Sequence, residues 1–377
     1  MKVVYVGSPQ LFSGGASAIH VMKMCNAMSN LGIKVELVLP SYDKGKDIFE
    51  YYGVRPVFKI TTLPSFSNSS LRHISHGILS AFYTRLKKES FDLVLTRNIV
   101  YTYISACFFG IPTIYDAHHP LVNGIAHHLF NSFKKSKHLL RFSTNSKGLG
   151  EIYLRLGLPQ EKLVVAPNGV DLERFQIGVS KEEARKLVGL DVKRKIVCYS
   201  GNVYEGRGIE LLIDVARELK DIVFVVVGGL ESDVNRYRRL AEEKQVGNFV
   251  FTGFVPHKDV VLYLLSADVL VMPYTSYMTI RGGTVASKFT SPIKLFEYMA
   301  SCRPIVATSI PAVKEILEDN KNAVLVEPDS VSSLVNGIKR VVSEKEFADK
   351  LAFQAFIDVK RYTWEERVKR ILGNLVL

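Results

Sequence analysis

Lys195-Ile-Val-Cys-Tyr-Ser-Gly-Asn-Val-Tyr-Glu-Gly-Arg-Gly-Ile-Glu-Leu-Leu212 reads as a buried strand from Lys195 to Ser200, a glycine-bounded loop from Gly201 to Gly208, and the start of a helix that continues to Leu219. The same order opens the chain. Val3 to Val6 is a strand, Phe12-Ser-Gly-Gly15 a loop, Ala16 to about Leu31 a helix stopped by Gly32, and Lys34 to Pro40 the next strand. A strand–loop–helix–strand unit that starts twice predicts an α/β protein of two Rossmann-like, doubly wound parallel-sheet domains facing a cleft. Further strands fit at Phe58–Leu63, Phe91–Thr96, Pro112–Tyr115, Leu139–Thr144 and Lys162–Ala166, then at Ile222–Val227, Phe249–Phe251, Val269–Met272, Pro304–Ala307 and Ala323–Val326. The polar stretch Gln176 to Arg194 reads as the connection, which gives domains at 1–175 and 176–377.

The length agrees, because 377 residues exceed what one hydrophobic core usually covers. With 47% hydrophobic and 23% charged residues the chain can bury sizeable cores, and its net charge of +12 favours anionic partners. Cys25, Cys107, Cys198 and Cys302 stand singly in apolar segments, with no spacing for metal or redox work, which suits a reducing cytoplasm. Met1 to Gly7 is too short an apolar run for a signal peptide, and no apolar run reaches the ~18 residues of a membrane span.

From Leu71 to Lys88, apolar Leu71, Ile74, Ile78, Leu79, Phe82 and Leu86 recur at helical spacing among Arg72, Arg85, Lys87 and Lys88. This amphipathic helix reads first as packed into the core of the first domain and second as a contact with anionic lipid heads. A second basic patch, Lys134 to Arg141, adds to the peripheral-membrane reading. Neither patch has the aromatic interleaving of nucleic-acid binders, so no nucleic-acid partner is expected.

Polar groups just past the carboxyl end of a parallel strand stand where such sheets hold ligands. Asp116-Ala-His118 ends the strand Thr113–Tyr115, and on extended backbone its carboxylate and imidazole share a side, so Asp116 can fix the tautomer of His118. Gly14 and Gly15 allow close backbone approach after the first strand, and Gly201 with Arg207 makes the second glycine loop a phosphate cradle. In Ser287-Lys-Phe-Thr-Ser-Pro-Ile-Lys-Leu-Phe-Glu297, Thr290, Ser291 and Pro292 open a helix from Ile293 to Ser301, with Ser291 as a cap. Its first amides, with Lys294 one turn in and Glu297 beyond, suit a phosphate attached to a polyhydroxylated ring.

These motifs, with Pro167-Asn-Gly-Val-Asp171, Phe251-Thr-Gly253, Ala267-Asp-Val-Leu-Val-Met-Pro273 and Tyr362-Thr-Trp-Glu365, make the whole chain resemble the GT-B-fold glycosyltransferases of family 4, also called glycosyl transferases group 1. The resemblance implies transfer of a hexose-type sugar, with retention, from a nucleotide-diphosphate donor to a glycan, lipid-linked or small-molecule acceptor. It implies donor binding mostly in the second domain and acceptor binding mostly in the first, and it returns the last helix, about 360–377, toward the first domain. His118, beside Asp116, would stand near the transferred sugar. Gly14, Gly15, Gly201, Asn202, Arg207, Thr290, Ser291 and Lys294 would meet the diphosphate, and Glu297 the ribose.

Two positions depart from the family pattern. Phe289 stands where relatives carry the first of two glutamates, the one that grips the donor hexose, and Asn202 where many carry a second diphosphate-binding cation. Arg281 and Lys288 are nearby cations that could compensate. No Asp-x-Asp pair stands in a suitable loop, so the expectation is an enzyme without metal or cofactor, cytoplasmic or peripheral on a membrane's cytoplasmic face. A sugar-nucleotide epimerase and an inactive sugar-nucleotide-binding protein are the rival readings.

Overall fold

The computed structural model describes residues 1–12, 15–43, 45–66, 68–279 and 285–375. The chain divides into two compact units, Met1–Gly169 with Trp364–Leu377, and Val170–Thr363, so the break falls ahead of Val170 rather than after Phe175. Each unit is built on one parallel sheet.

The first sheet contains β1 (Lys2–Val6), β2 (Lys34–Pro40), β3 (Lys59–Leu63), β4 (Leu93–Thr96), β5 (Thr113–Ala117), β6 (Leu139–Thr144) and β7 (Leu163–Val165), in the order β3-β2-β1-β4-β5-β6-β7. The second contains β8 (Lys195–Ser200), β9 (Ile222–Val227), β10 (Phe249–Gly253), β11 (Val269–Met272), β12 (Ile305–Thr308) and β13 (Val324–Val326), in the order β10-β9-β8-β11-β12-β13. Uniformly apolar strands such as Ile-Val-Phe-Val-Val-Val in β9 are buried on both faces, as a sheet covered by crossover helices requires. The strand order reverses between β1 and β4 in one unit and between β8 and β11 in the other. There the outgoing connections run to opposite faces and leave a crevice at the carboxyl edge.

Four helices of the first unit matter below: α1 (Ala16–Asn30), α2 (Ser69–Leu86), α3 (Ile99–Ile104) and α4 (Gly124–Phe133). In the second unit they are α5 (Ile209–Glu218), α6 (His257–Ser266) and α7 (Ile293–Ala300). The terminal helix α8 (Trp364–Leu372) belongs to the first unit and packs on α1. Residues 181–187 of the connection are helical, closed by a capping box between Ser180 and Glu183.

Two local expectations are corrected. Helix α2 does not turn its apolar stripe into the core: Leu71, Ile74, Ile78, Leu79, Phe82 and Leu86 are exposed, while His76, Ser80 and Thr84 are fully buried. On the buried side Thr84 Oγ1 hydrogen-bonds with Tyr101 at 2.9 Å and to the Ser80 carbonyl at 2.9 Å, and the helix meets α3 so closely that a Cβ on Gly77 would stand 2.5 Å from Asn98 Oδ1. At α7, Pro292 rather than Ser291 occupies the N-cap position, and its ring offers no capping oxygen.

The switch point of the second unit is held by a glycine. Gly208, the N-cap of α5, sits at φ +75°, and a Cβ there would stand 1.7 Å from the Pro273 carbonyl oxygen just after β11. Both the left-handed backbone and the contact exclude a side chain. Gly208→Ala is expected to destabilise the second unit by about 3 kcal/mol or more, read as a drop in the urea midpoint; a midpoint equal to wild type would show that the two loops do not meet this way.

Candidate active site

At the carboxyl edge of β5, Asp116 is buried and His118 half-buried. His118 Nε2 lies 3.0 Å from Asp116 Oδ2, and Asn145 Nδ2 lies 3.4 Å from His118 Nδ1. This network assigns the proton to Nε2, which donates to the carboxylate, and leaves Nδ1 as acceptor. The residue that sequence reasoning missed is Arg367 on α8. Its Nη2 donates to both oxygens of Asp116, at 2.7 and 2.8 Å, and Nη1 donates to the Pro167 carbonyl at 3.3 Å. His20 of α1 closes the cluster, with its ring 4.4 Å from that of His118 and 5.4 Å from that of Trp364.

Electrostatics follow from this packing. Burial pushes the Asp116 carboxyl up, but Arg367 and then His118 overrule it and hold it well below the ordinary 3.8. Burial, followed by Arg97, brings His118 down to about 3 despite Asp116. His118 is therefore a neutral imidazole near pH 7, able to exchange hydrogen bonds but carrying no charge. His20, Asp116 and His118 offer three ligand atoms within 4.8 Å of one another, the one such group among the described residues, yet the guanidinium already neutralises its only carboxylate. Gly15 is the N-cap of α1 with no side-chain cap, and Gly14 lies outside the described residues.

In the second unit, Gly201, Arg207 and Lys294 come together. Gly201 ends β8 at φ +122°, and a Cβ on it would stand 2.3 Å from Lys294 Nζ. Lys294 Nζ lies 3.9 Å from the ring centre of Tyr199 and 5.5 Å from that of Tyr274, and Arg207 Cζ lies 4.7 Å from Tyr204 and 5.0 Å from Tyr274. Rings can hold cations, but they do not neutralise them. Lys294 Nζ and Arg207 Nε are buried with no hydrogen-bond partner among the described residues. Burial first, and the Arg207 charge second, push the Lys294 pKa well below 10.5. The loop and α7 are pinned together by the Ser200 amide, which donates to Tyr298 Oη at 2.8 Å.

Glu297, one turn beyond Lys294, is buried, and His257 Nε2 stands 2.7 Å from its Oε1 with Arg174 Nη1 at 3.8 Å. Neither partner was visible in the sequence, because both come from elements far along the chain. Asn202 takes part through its carbonyl, which accepts from Tyr199 Oη at 2.6 Å. The Thr290 amide is used by the Ala286 carbonyl at 3.0 Å, so Thr290 offers its hydroxyl rather than its N–H. Phe289 is buried, Lys288 is exposed, and Arg281 lies outside the described residues.

Comparison with known proteins gives one consistent picture. Residues 14–174 match the family described as Glycosyltransferase Family 4, and residues 180–356 match Glycosyl transferases group 1. An uncharacterised glycosyltransferase of Methanocaldococcus jannaschii is 24% identical over 95% of this chain and 93% of its own length. A putative teichuronic acid biosynthesis glycosyltransferase, TuaC of Bacillus subtilis, is 30% identical over 48% of this chain and 42% of its own length. Among solved structures, HepE of Anabaena in complex with UDP-glucose superposes with a TM-score of 0.77 at 16% identity, covering 100% of this chain and 99% of that one. At that identity the superposition speaks for the fold.

Removing the guanidinium leaves a buried carboxylate without its cation, so Arg367→Gln is expected to cost about 3–5 kcal/mol of stability, read by thermal and urea unfolding; an unchanged midpoint would remove Arg367 from this role. The histidines set a pH dependence. Because the folded state holds His118 at about 3 against an ordinary 6.5, the unfolded chain binds the proton first as pH falls. The stability contribution of the neutral imidazole is complete above pH 6.5 and declines toward about 3. Melting temperature should fall over this window in wild type and less steeply in His118→Asn; parallel curves would contradict the buried neutral imidazole.

Proposed function

The chain belongs to the GT-B glycosyltransferases of family 4 and group 1, and from that premise we propose that it moves a hexose-type sugar, with retention of anomeric configuration, from a nucleotide-diphosphate sugar to a hydroxyl of a glycan or lipid-linked acceptor. The observation that carries this reading is the pair of buried cations, Lys294 and Arg207, without a hydrogen-bond partner at Lys294 Nζ and Arg207 Nε among the described residues. Two adjoining positive charges in a dry site call for a ligand with at least two negative ones. A diphosphate has the charge, and the switch-point loop after β8 and the N-terminal end of α7 supply backbone dipoles suited to it. The UDP-glucose bound to HepE supports a nucleotide sugar as the donor.

The chemistry asks for little else. The bond from the anomeric carbon to the β-phosphate oxygen breaks, charge gathers on the departing diphosphate, and the acceptor hydroxyl passes its proton to that departing oxygen as the glycosidic bond forms. Arg207 and Lys294 stabilise that growing charge with groups already in place. Fixed cations do the work a divalent ion does in other transferases, so the reaction runs without metal. Glu297, oriented by His257 and Arg174, holds the ribose hydroxyls. In the first unit, neutral His118 hydrogen-bonds a hydroxyl of the sugar. The buried Phe289 offers no oxygen to the hexose, so recognition of that ring falls to other groups.

Screening nucleotide sugars by thermal shift, then assaying transfer with the donor that stabilises the chain, tests the proposal. Arg207→Ala and Lys294→Ala are each expected to lower kcat/KM about 100-fold, and chelation of divalent ions is expected to leave the rate unchanged. Near-normal turnover in either variant, a strict Mn²⁺ or Mg²⁺ requirement, or epimerised donor in the absence of acceptor would overturn it. Burial and the Arg207 charge hold the Lys294 pKa below its ordinary 10.5, and a bound diphosphate should raise it again, so binding is expected to take up more protons as pH rises toward 10.5. Titration heats measured at such pH in buffers of different ionisation enthalpy should then differ; equal heats would refute a shift of Lys294 on binding.

A further inference from the structure

Helix α2 is amphipathic in the reverse of the usual sense. Its solvent face carries Leu71, Ile74, Ile78, Phe82 and Leu86, 54%, 46%, 38%, 55% and 88% exposed, while the face toward the protein carries His76, Ser80 and Thr84, all 0% exposed. The outward positions recur at three- and four-residue intervals and form one stripe about 22 Å long. A soluble surface helix buries its apolar stripe and exposes its polar one. Here the sequence has made the outer face apolar over the full helix. The stripe also widens: Phe82 lies 5.3 Å, ring to ring, from Phe109, and neighbouring Phe108 is 66% exposed.

The charges around the stripe are mostly positive, with Glu36 4.0 Å from Lys87 Nζ and Glu89 next to Lys88 as the acidic exceptions. Ser69 to Lys88 contains Arg72, Arg85, Lys87 and Lys88 with no Asp or Glu, and Gly124 to Lys137 contains Lys134, Lys135 and Lys137 with none. These segments meet at Gly110, whose Cβ, if present, would lie 3.6 Å from Lys88 Nζ and 3.3 Å from His138 Nε2. Lys88 Nζ also donates to the Phe109 carbonyl at 3.3 Å, which seats a cation at the edge of the aromatic widening. Leu, Ile and Phe lying along a helix, rimmed by cations, match the boundary between lipid heads and acyl chains. A protein hot spot would favour Trp, Tyr or Arg set in pockets.

We propose that the outer face of α2, with Phe108 and the Lys88–Lys137 rim, docks the first unit onto an anionic lipid bilayer, the helix lying in the interface plane. Apolar side chains enter the acyl boundary and the cations meet phosphate heads, so adhesion needs both.

The test is flotation of the full chain with phosphatidylcholine vesicles made with and without phosphatidylglycerol. Wild type is expected to float with the anionic vesicles, less with neutral ones, and less as salt rises. Leu71→Ser/Leu79→Ser/Leu86→Ser together should lower partitioning about tenfold or more, and Arg85→Glu/Lys137→Glu should abolish the preference for anionic lipid. Circular dichroism should show both variants melting at or above the wild-type temperature, because the replaced side chains are exposed. No flotation of wild type, or equal flotation of the serine variant, overturns the proposal. So does a wild-type dimer in sedimentation that the serine variant disperses while vesicles bind neither, since the face would then pair two copies of the chain.

Discussion

A charge buried in protein must meet an opposite charge, and the two units handle that constraint in opposite ways. In the first, Asp116 at the end of β5 is fully compensated by Arg367, whose Nη2 donates to both carboxylate oxygens at 2.7 and 2.8 Å. The charge of that carboxylate is met without a ligand, and the product is a neutral, oriented imidazole at His118. In the second, Lys294 and Arg207 rest on tyrosine rings, with Lys294 Nζ and Arg207 Nε lacking a hydrogen-bond partner among the described residues. That cluster is completed by what binds it. One unit thus presents a preset hydrogen-bonding group and the other a preset electrostatic deficit.

The parallel sheet explains why chemistry gathers where it does. Strands buried on both faces leave no room for polar side chains along their length, so these collect at the carboxyl edge. Asp116 and His118 follow β5, and the Gly201–Gly208 loop follows β8. Glycine enters where such a loop touches a neighbour: Gly201 against Lys294 of α7, and Gly208 against the Pro273 carbonyl after β11. At both positions the missing side chain is what allows the approach.

Much of this was legible in the residues themselves. Strands β6, β8, β9 and β11 fall at the bounds read from apolar runs and glycine stops, because a doubly buried strand writes its own signature. What was not legible depended on distance or on direction. Arg367 and Asp116 stand 251 residues apart, and nothing local marks an arginine in a terminal helix as the partner of a strand-end carboxylate. His257 and Arg174 reach Glu297 by the same long-range logic. The periodicity of α2 was read correctly, but an apolar stripe at helical spacing does not say whether it faces the protein or the solvent. Its outward direction follows from the packing of Gly77 and Thr84 on α3. The placing of the N-cap of α7 at Pro292 rather than Ser291 reflects backbone geometry that residue type alone did not fix.

The return of α8 to the first unit also orders events in time. Chain 170–363 is made between two parts of one compact body, so during synthesis β1 through β7 exist long before the helix that carries Arg367. Until then Asp116 faces a nascent core with no guanidinium beside it, and the cheaper state for that edge is open and hydrated. The second unit can close on its own contacts as soon as it emerges. Vectorial synthesis therefore favours a folding order in which the later-made body matures first, and the earlier-made one locks only when the last helix arrives.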